Sequence, residues 1–319
     1  MKHKYGIAAA LAAATLLLTA CSDDLWDFQT AEPTADSVQS AEDNHEYQEE
    51  TVEQPAELRP QGSARTLEGS SVIVTVVMET PDSSFTDEEL EFTSRAIDKS
   101  CRYLEEQGRK YGKEVTLYNY SDEHPDLIYW ITHDEDATIA ADSSLAYSNG
   151  YIQRIQQLLD NIPLDDIYEE YGTDSVAFMV VYDTPGTSYS QVYYPGYDDR
   201  YYEWTALFQY DMYGTRYENL ACVAHEILHL FGAVDLYRVA GIDGVTEEIY
   251  NDVQNDPAYE MALMYNTYNE DGSYDYDSIP QSLSDITLAM IGFTDPEAVY
   301  EKYPSLAREY TAAFEIKYY

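Results

Sequence analysis

Thr215-Arg-Tyr-Glu218-Asn-Leu-Ala-Cys222-Val-Ala-His225-Glu226-Ile-Leu-His229-Leu-Phe-Gly232-Ala-Val-Asp235 is the most informative stretch of this chain. Thr215 and Glu218 have the spacing of a capping box, which predicts a helix beginning there. His225 and His229 are four residues apart, so on a helix they lie one above the other on the same face. Two neutral imidazoles on one rigid face make half of a tetrahedral zinc site. Glu226 stands one step round the helix, where its carboxylate can reach water on the metal. Gly232 permits the left-handed conformation that ends a helix. The chain can then turn back, and Asp235 can offer a carboxylate oxygen as third ligand. One coordination position stays open, the condition for catalysis rather than for structure alone.

Working outward, the β-branched run 71–79 predicts an internal strand. Thr86 and Glu89 form another capping box, and Leu90, Ile97, Cys101 and Leu104 recur at helical spacing up to about Gly108. Further strands are expected over 114–120, 126–133, 175–182 and 203–210, with a helix at 151–159 between the third and the fourth. Strands interleaved with helices imply an α/β sheet of about five strands. Residues 186–202, rich in Tyr, Ser, Gly and Asp, read as a long surface hairpin or loop. Residues 282–291 read as a helix that packs under the site.

The segment His225-Glu226-Ile-Leu-His229-Leu-Phe-Gly232-Ala-Val-Asp235 resembles the extended motif of the metzincin-like zinc peptidases. The Asp-type third ligand and the continuation Asp235-Leu-Tyr237 look more like secreted bacterial branches, of snapalysin or immune inhibitor A type, than like matrix metalloproteinases. About twenty residues match closely. The resemblance implies an α/β (α+β) fold with a roughly five-stranded mixed sheet, an active-site helix and a smaller, mostly helical C-terminal subdomain. It further implies zinc held by His225, His229 and Asp235, with Glu226 as general base. A Met-turn beneath the metal is also implied, for which Met264 in Ala262-Leu-Met-Tyr265 is the first candidate and Met261 the second. Tyr265 or Tyr268 is a candidate oxyanion stabiliser. A rival third ligand is suggested by thermolysin-like enzymes, since Glu247 and Glu248 lie eighteen and nineteen residues past His229. Gly232 and Asp235 would then be coincidental, and Asp235 is the preferred ligand.

At the N-terminus, Met1-Lys-His-Lys4 followed by the apolar stretch 7–20 has the form of an export signal. Leu18-Thr-Ala-Cys21 resembles the lipobox of bacterial lipoproteins, in which the Cys carries the lipid. Residues 22–70 hold 13 acidic residues and 2 Arg and read as a disordered tether. The expected organisation is therefore a signal peptide over 1–20, a lipidated Cys21 with its tether over 21–70, and a peptidase domain over 71–319. The protein would be an extracytoplasmic lipoprotein attached to a membrane.

Across the 319 residues, 60 Asp and Glu face only 17 Lys and Arg, and Tyr supplies 33 of the aromatic side chains. A formal charge of −43 argues against nucleic acid as a partner, because phosphate binding needs a basic face. A polypeptide substrate fits better, with some bias to cationic peptides, and it would add as an extended strand to an edge expected at 203–210. Cys101 and Cys222 can pair or stay as buried thiols, the latter being favoured. Asn269 to Asp277 concentrates oxygen ligands around Gly272 and reads as a calcium loop or a plain acidic turn, the plain turn being favoured. His124 and His133 are read as strand caps or surface residues. A different reading of the whole chain is a surface lipoprotein that binds peptides or glycans through its tyrosine-rich loops, with a structural or vestigial metal site. Zinc hydrolysis of a non-peptide amide would use the same ligands.

Overall fold

Gly69–Glu79 forms β1, an internal strand of a six-stranded, mostly parallel sheet in a computed structural model that describes residues 62–64, 66–142, 145–146, 150–192 and 202–307. The export signal, Cys21, most of the tether and the tyrosines of 193–201 lie outside the described residues. Along one side β1 pairs in parallel with two short strands in succession, β2 (Val115–Asn119) and then β3 (Ile128–Thr132). On its other side lie β4 (Val176–Pro185) and then β6 (Trp204–Tyr210), both parallel. The antiparallel β5 (Tyr189–Gln191) closes the order β2-β1-β4-β6-β5. The expected hairpin at 186–202 thus supplies a sixth strand. It also moves the edge: 203–210 is covered by β5, and among the described residues β5 ends this side of the sheet.

Alternation along the strands splits the interior in two. Ile73, Val77, Ala177, Met179, Val181 and Leu207 point to one face, while Val74, Val76, Phe178, Val180, Trp204 and Phe208 point to the other. The second face is covered by α2 (Ala137–Ala140), α3 (Tyr151–Leu159) and α4 (Leu164–Tyr171). The first is covered by α1 (Asp87–Lys110) and α5 (Leu220–Leu230). The C-terminal helices α6 (Glu247–Asn255), α7 (Asp285–Met290) and α8 (Glu297–Lys302) share this core. Helix α1 starts as its sequence predicts: Thr86 accepts from the Glu89 amide, and Glu89 accepts from the Thr86 amide. Acidic residues fill its first turn and Arg109 and Lys110 its last, complementing the helix dipole. Near its end Gly108 is required, because a Cβ there would stand 2.8 Å from Val115 Cγ2.

Three local expectations are corrected. Helix α5 starts at Leu220, not Thr215, and its cap is Asn219, whose side chain accepts from the Cys222 amide. Thr215 is tied to Asp211 through its amide and hydroxyl, and Tyr217 bridges back to Tyr210, so the chain is still in a tight turn and its return where the capping box predicted a helix. Ser63, Ala64 and Leu67, within the stretch read as tether, are buried. Their own sequence is weakly apolar, and they are held by Glu203, Val176 and Ile291 from across the fold. The helix expected over 282–291 is shorter, because Ser284 caps it by accepting from the Thr287 amide. Among the described residues no helix is long and apolar enough to cross a membrane.

Candidate metal centre

Helix α5 is apolar on nearly every side and lies buried between the sheet and the C-terminal helices, so its polar residues are placed by packing rather than by solvent. Its end is a Schellman turn. The Gly232 amide donates to the His229 carbonyl at 2.9 Å and the Ala233 amide to the Leu228 carbonyl at 3.1 Å, with Gly232 at φ 97°. This turn reverses the chain and brings Asp235 back over the two histidines.

Three ligand-type atoms converge there. His225 Nε2, His229 Nε2 and Asp235 Oδ1 stand 3.1 Å from one another on every side of the triangle. A tetrahedral zinc with bonds of about 2.0–2.1 Å sets its ligand atoms about 3.3 Å apart, so the triangle is close to the size a zinc ion needs. The proton positions agree. His225 Nδ1 faces the Leu263 carbonyl at 3.0 Å and His229 Nδ1 faces the Ala233 carbonyl at 2.9 Å. Each Nδ1 must therefore carry hydrogen, which leaves both Nε2 atoms as lone-pair acceptors. Two lone pairs and a carboxylate oxygen at such range repel one another unless a cation or a proton lies among them. The residues present therefore fit a metal ion.

The outer partners of the triangle left only a weak signal in the sequence, the nearness of Tyr237 and Arg238 to Asp235. Asp235 Oδ2 accepts from the Tyr237 hydroxyl at 3.1 Å and pairs with the Arg238 guanidinium at 2.8 Å, which aims Oδ1 inward. The Leu236 amide donates to the Met264 carbonyl at 2.9 Å, and Met264 is fully buried. The turn at 262–265 thus lies beneath the site, where the Met-turn was expected, and it supplies the Leu263 carbonyl to His225. Met261 is only partly buried. Glu226 is buried, and its carboxylate stands within 4.8 Å of the ligand nitrogens of His225 and His229. Its Oε2 accepts from Ser190 on β5 at 2.7 Å.

Other candidates lie elsewhere. Glu247 and Glu248 are exposed in the first turn of α6, so neither takes the place of Asp235. Tyr268 packs against Tyr274 at 5.3 Å and Tyr265 against the core; among the described residues, the Tyr237 hydroxyl bonds to the triangle's Asp235. In the acidic loop, Asp271 accepts from the Ser273 amide, and Asp275 from the Asp277 and Ser278 amides. Among the described residues no group of three metal-binding side chains is found there. Cys101 and Cys222 are both free thiols, Cys101 buried and Cys222 half-buried. His124 packs against Tyr118 and Tyr171, and His133 accepts from the Glu135 amide.

Charge at the site is strongly coupled. Burial works against a charged His229, but the Asp235 carboxylate and its hydrogen bond, with Glu226 and the Ala233 carbonyl, raise its pKa to about 9. Burial likewise opposes ionisation of Asp235, and the two histidines overcome it, holding the carboxyl well below its usual range. Burial pushes Glu218, just before α5, up to about 7, with Glu226 and Asp211 adding to the rise. Without metal, then, a proton on His229 occupies the triangle near neutral pH. A metal ion entering the triangle would have to displace it. Apparent zinc affinity should therefore rise by up to about tenfold per pH unit through neutral pH and lose this dependence above about pH 9. Titrations from pH 6.5 to 9.5 check this, and a flat profile would show that His229 is not displaced.

No protein-family model and no curated protein matches the chain. Among solved structures it is similar to the crystal structure of metalloproteinase-II from Bacteroides fragilis, at 16% identity and a TM-score of 0.35, over 72% of this chain and 55% of that one. The chain spans about half the length of that structure. A likeness this loose carries no argument about fold or activity, and the functional reading rests on the site itself.

Proposed function

We propose that this chain is a zinc-dependent endopeptidase, secreted and anchored to a membrane through Cys21. The observation that carries the reading is the equilateral triangle of lone-pair atoms from His225, His229 and Asp235 with an ionisable Glu226 beside it. A structural metal site has no use for a buried carboxylate that stands near the metal without completing the ligand triangle.

When bound, zinc supplies Lewis acidity and lowers the pKa of water to about 7. Glu226 accepts the proton of the attacking water and returns it to the leaving amine. The Leu263 and Ala233 carbonyls hold the two imidazoles in one tautomer, and Tyr237 with Arg238 holds the carboxylate of Asp235. Strand β5, at the end of the sheet, is the edge on which an extended peptide can lie beside α5.

The reading is tested by incubating the zinc-loaded protein with an unbiased peptide mixture. Internal cleavages are expected, abolished by a chelator and restored by zinc. A protein that holds zinc and cleaves nothing would reject the peptidase reading.

A further inference from the structure

Ser190 and Thr205 are directly opposite residues of the antiparallel pair β5 and β6, so both hydroxyls lie on the same face of the sheet, toward α5. Their oxygens are 2.7 Å apart, and Ser190 Oγ is also 2.7 Å from Glu226 Oε2 and 3.2 Å from the Glu226 carbonyl. The direction of these bonds follows from chemistry. An ionised carboxylate can only accept, so Ser190 gives its single proton to Glu226. Its remaining lone pairs then take the proton of Thr205, which is completely buried.

The result is a directed chain, Thr205 to Ser190 to Glu226, ending in a short charge-assisted hydrogen bond. Only one of the two carboxylate oxygens is engaged by it, which leaves Oε1 for a proton from water. A Glu side chain has three rotatable bonds, and nothing on α5 itself fixes where its carboxylate points. The fixing comes from the edge strand.

We propose that Ser190 is a positioning residue for Glu226, holding its carboxylate in the orientation that proton transfer requires. The inference rests on the peptidase reading for its kinetic consequence, but the contact has a signature of its own. It also makes β5 serve twice, as the edge beside which a peptide can lie and as the strand that aims the base. Proton transfer depends steeply on such alignment, so loss of the hydroxyl should lower kcat more than it raises KM.

The test compares Ser190→Ala, Ser190→Thr and Thr205→Val in the full-length, zinc-loaded protein. Ser190→Ala should lower kcat by about 10- to 100-fold, with KM within about twofold and zinc content unchanged. Ser190→Thr, which restores the hydroxyl, should recover most of the rate. Thr205→Val keeps Ser190 but removes its donor, and should give a smaller loss of kcat; it also serves if Ser190→Ala does not fold. Independently of turnover, the carboxylate stretch of Glu226, isolated in metal-free protein by isotope-edited infrared difference against Glu226→Gln, should shift in Ser190→Ala and return in Ser190→Thr.

Wild-type kcat in Ser190→Ala, or an equal loss in Ser190→Thr, would overturn the proposal. So would a loss that follows zinc content. Should no peptide be cleaved by the wild type, the peptidase reading fails by itself. The infrared band then decides the contact, an unshifted band overturning it.

Discussion

Glu226→Gln should lose peptide hydrolysis by about a thousandfold or more in kcat while still binding one zinc ion. General-base catalysis contributes about 10²- to 10⁴-fold, and glutamine cannot accept a proton from water at neutral pH. The substitution otherwise disturbs little. Gln has the same shape, and its amide oxygen can still accept from Ser190, which is 2.7 Å from the present Oε2. Zinc should be retained because the triangle at 3.1 Å is built by His225, His229 and Asp235, with Glu226 outside it. Metal analysis and turnover on the same preparation check both halves. Loss of zinc with the activity would make Glu226 a ligand, and retained activity would remove it from the chemistry.

Asp235→Asn should weaken zinc binding by more than about 100-fold, beyond the 10- to 100-fold typical of changes to a ligand's outer partners. The amide keeps the size of the side chain but presents a neutral oxygen. It also removes the charge that lifts His229, whose pKa should fall from about 9 toward its ordinary value near 6.5. Zinc binding by the variant should then lose its pH dependence above about pH 7 rather than pH 9. The sign is fixed: a histidine raised by a carboxylate binds its proton less tightly once that charge is gone. Glu247→Gln and Glu248→Gln, on the exposed first turn of α6, should leave zinc affinity unchanged. If one of these lowers affinity as Asp235→Asn does, the third ligand has been misassigned.

What could be read in advance was local. The β-branched run that became β1, the capping box of α1 and the His225 to Asp235 spacing are signals held within a few turns of chain, and each has its counterpart in the structure. The start of α5 was misread because Thr215 and Glu218 have the spacing of a cap while their partners are elsewhere: Asp211 takes Thr215, and the Gln209 carbonyl takes the Glu218 amide. Asn219 carried the signal that mattered, a side chain that can cap immediately before the apolar run. Strand β5 was missed as an element because three residues are too few to show a period. Ser190 was missed with it, since its place beside Glu226 exists only once β5 pairs with β6. Tyr237 and Arg238 had a weak signal in their nearness to Asp235, but which oxygen they hold depends on the turn at Gly232.

The central claim is that His225, His229 and Asp235 hold one zinc ion. X-ray absorption at the zinc edge, on protein carrying one equivalent, tests it most directly. The expected spectrum has two imidazole nitrogens and oxygen ligands at about 2.0–2.2 Å, with no sulfur, and keeps a single imidazole in His229→Ala. A sulfur shell, an unchanged spectrum in that variant, or failure to take up zinc at all would contradict the account.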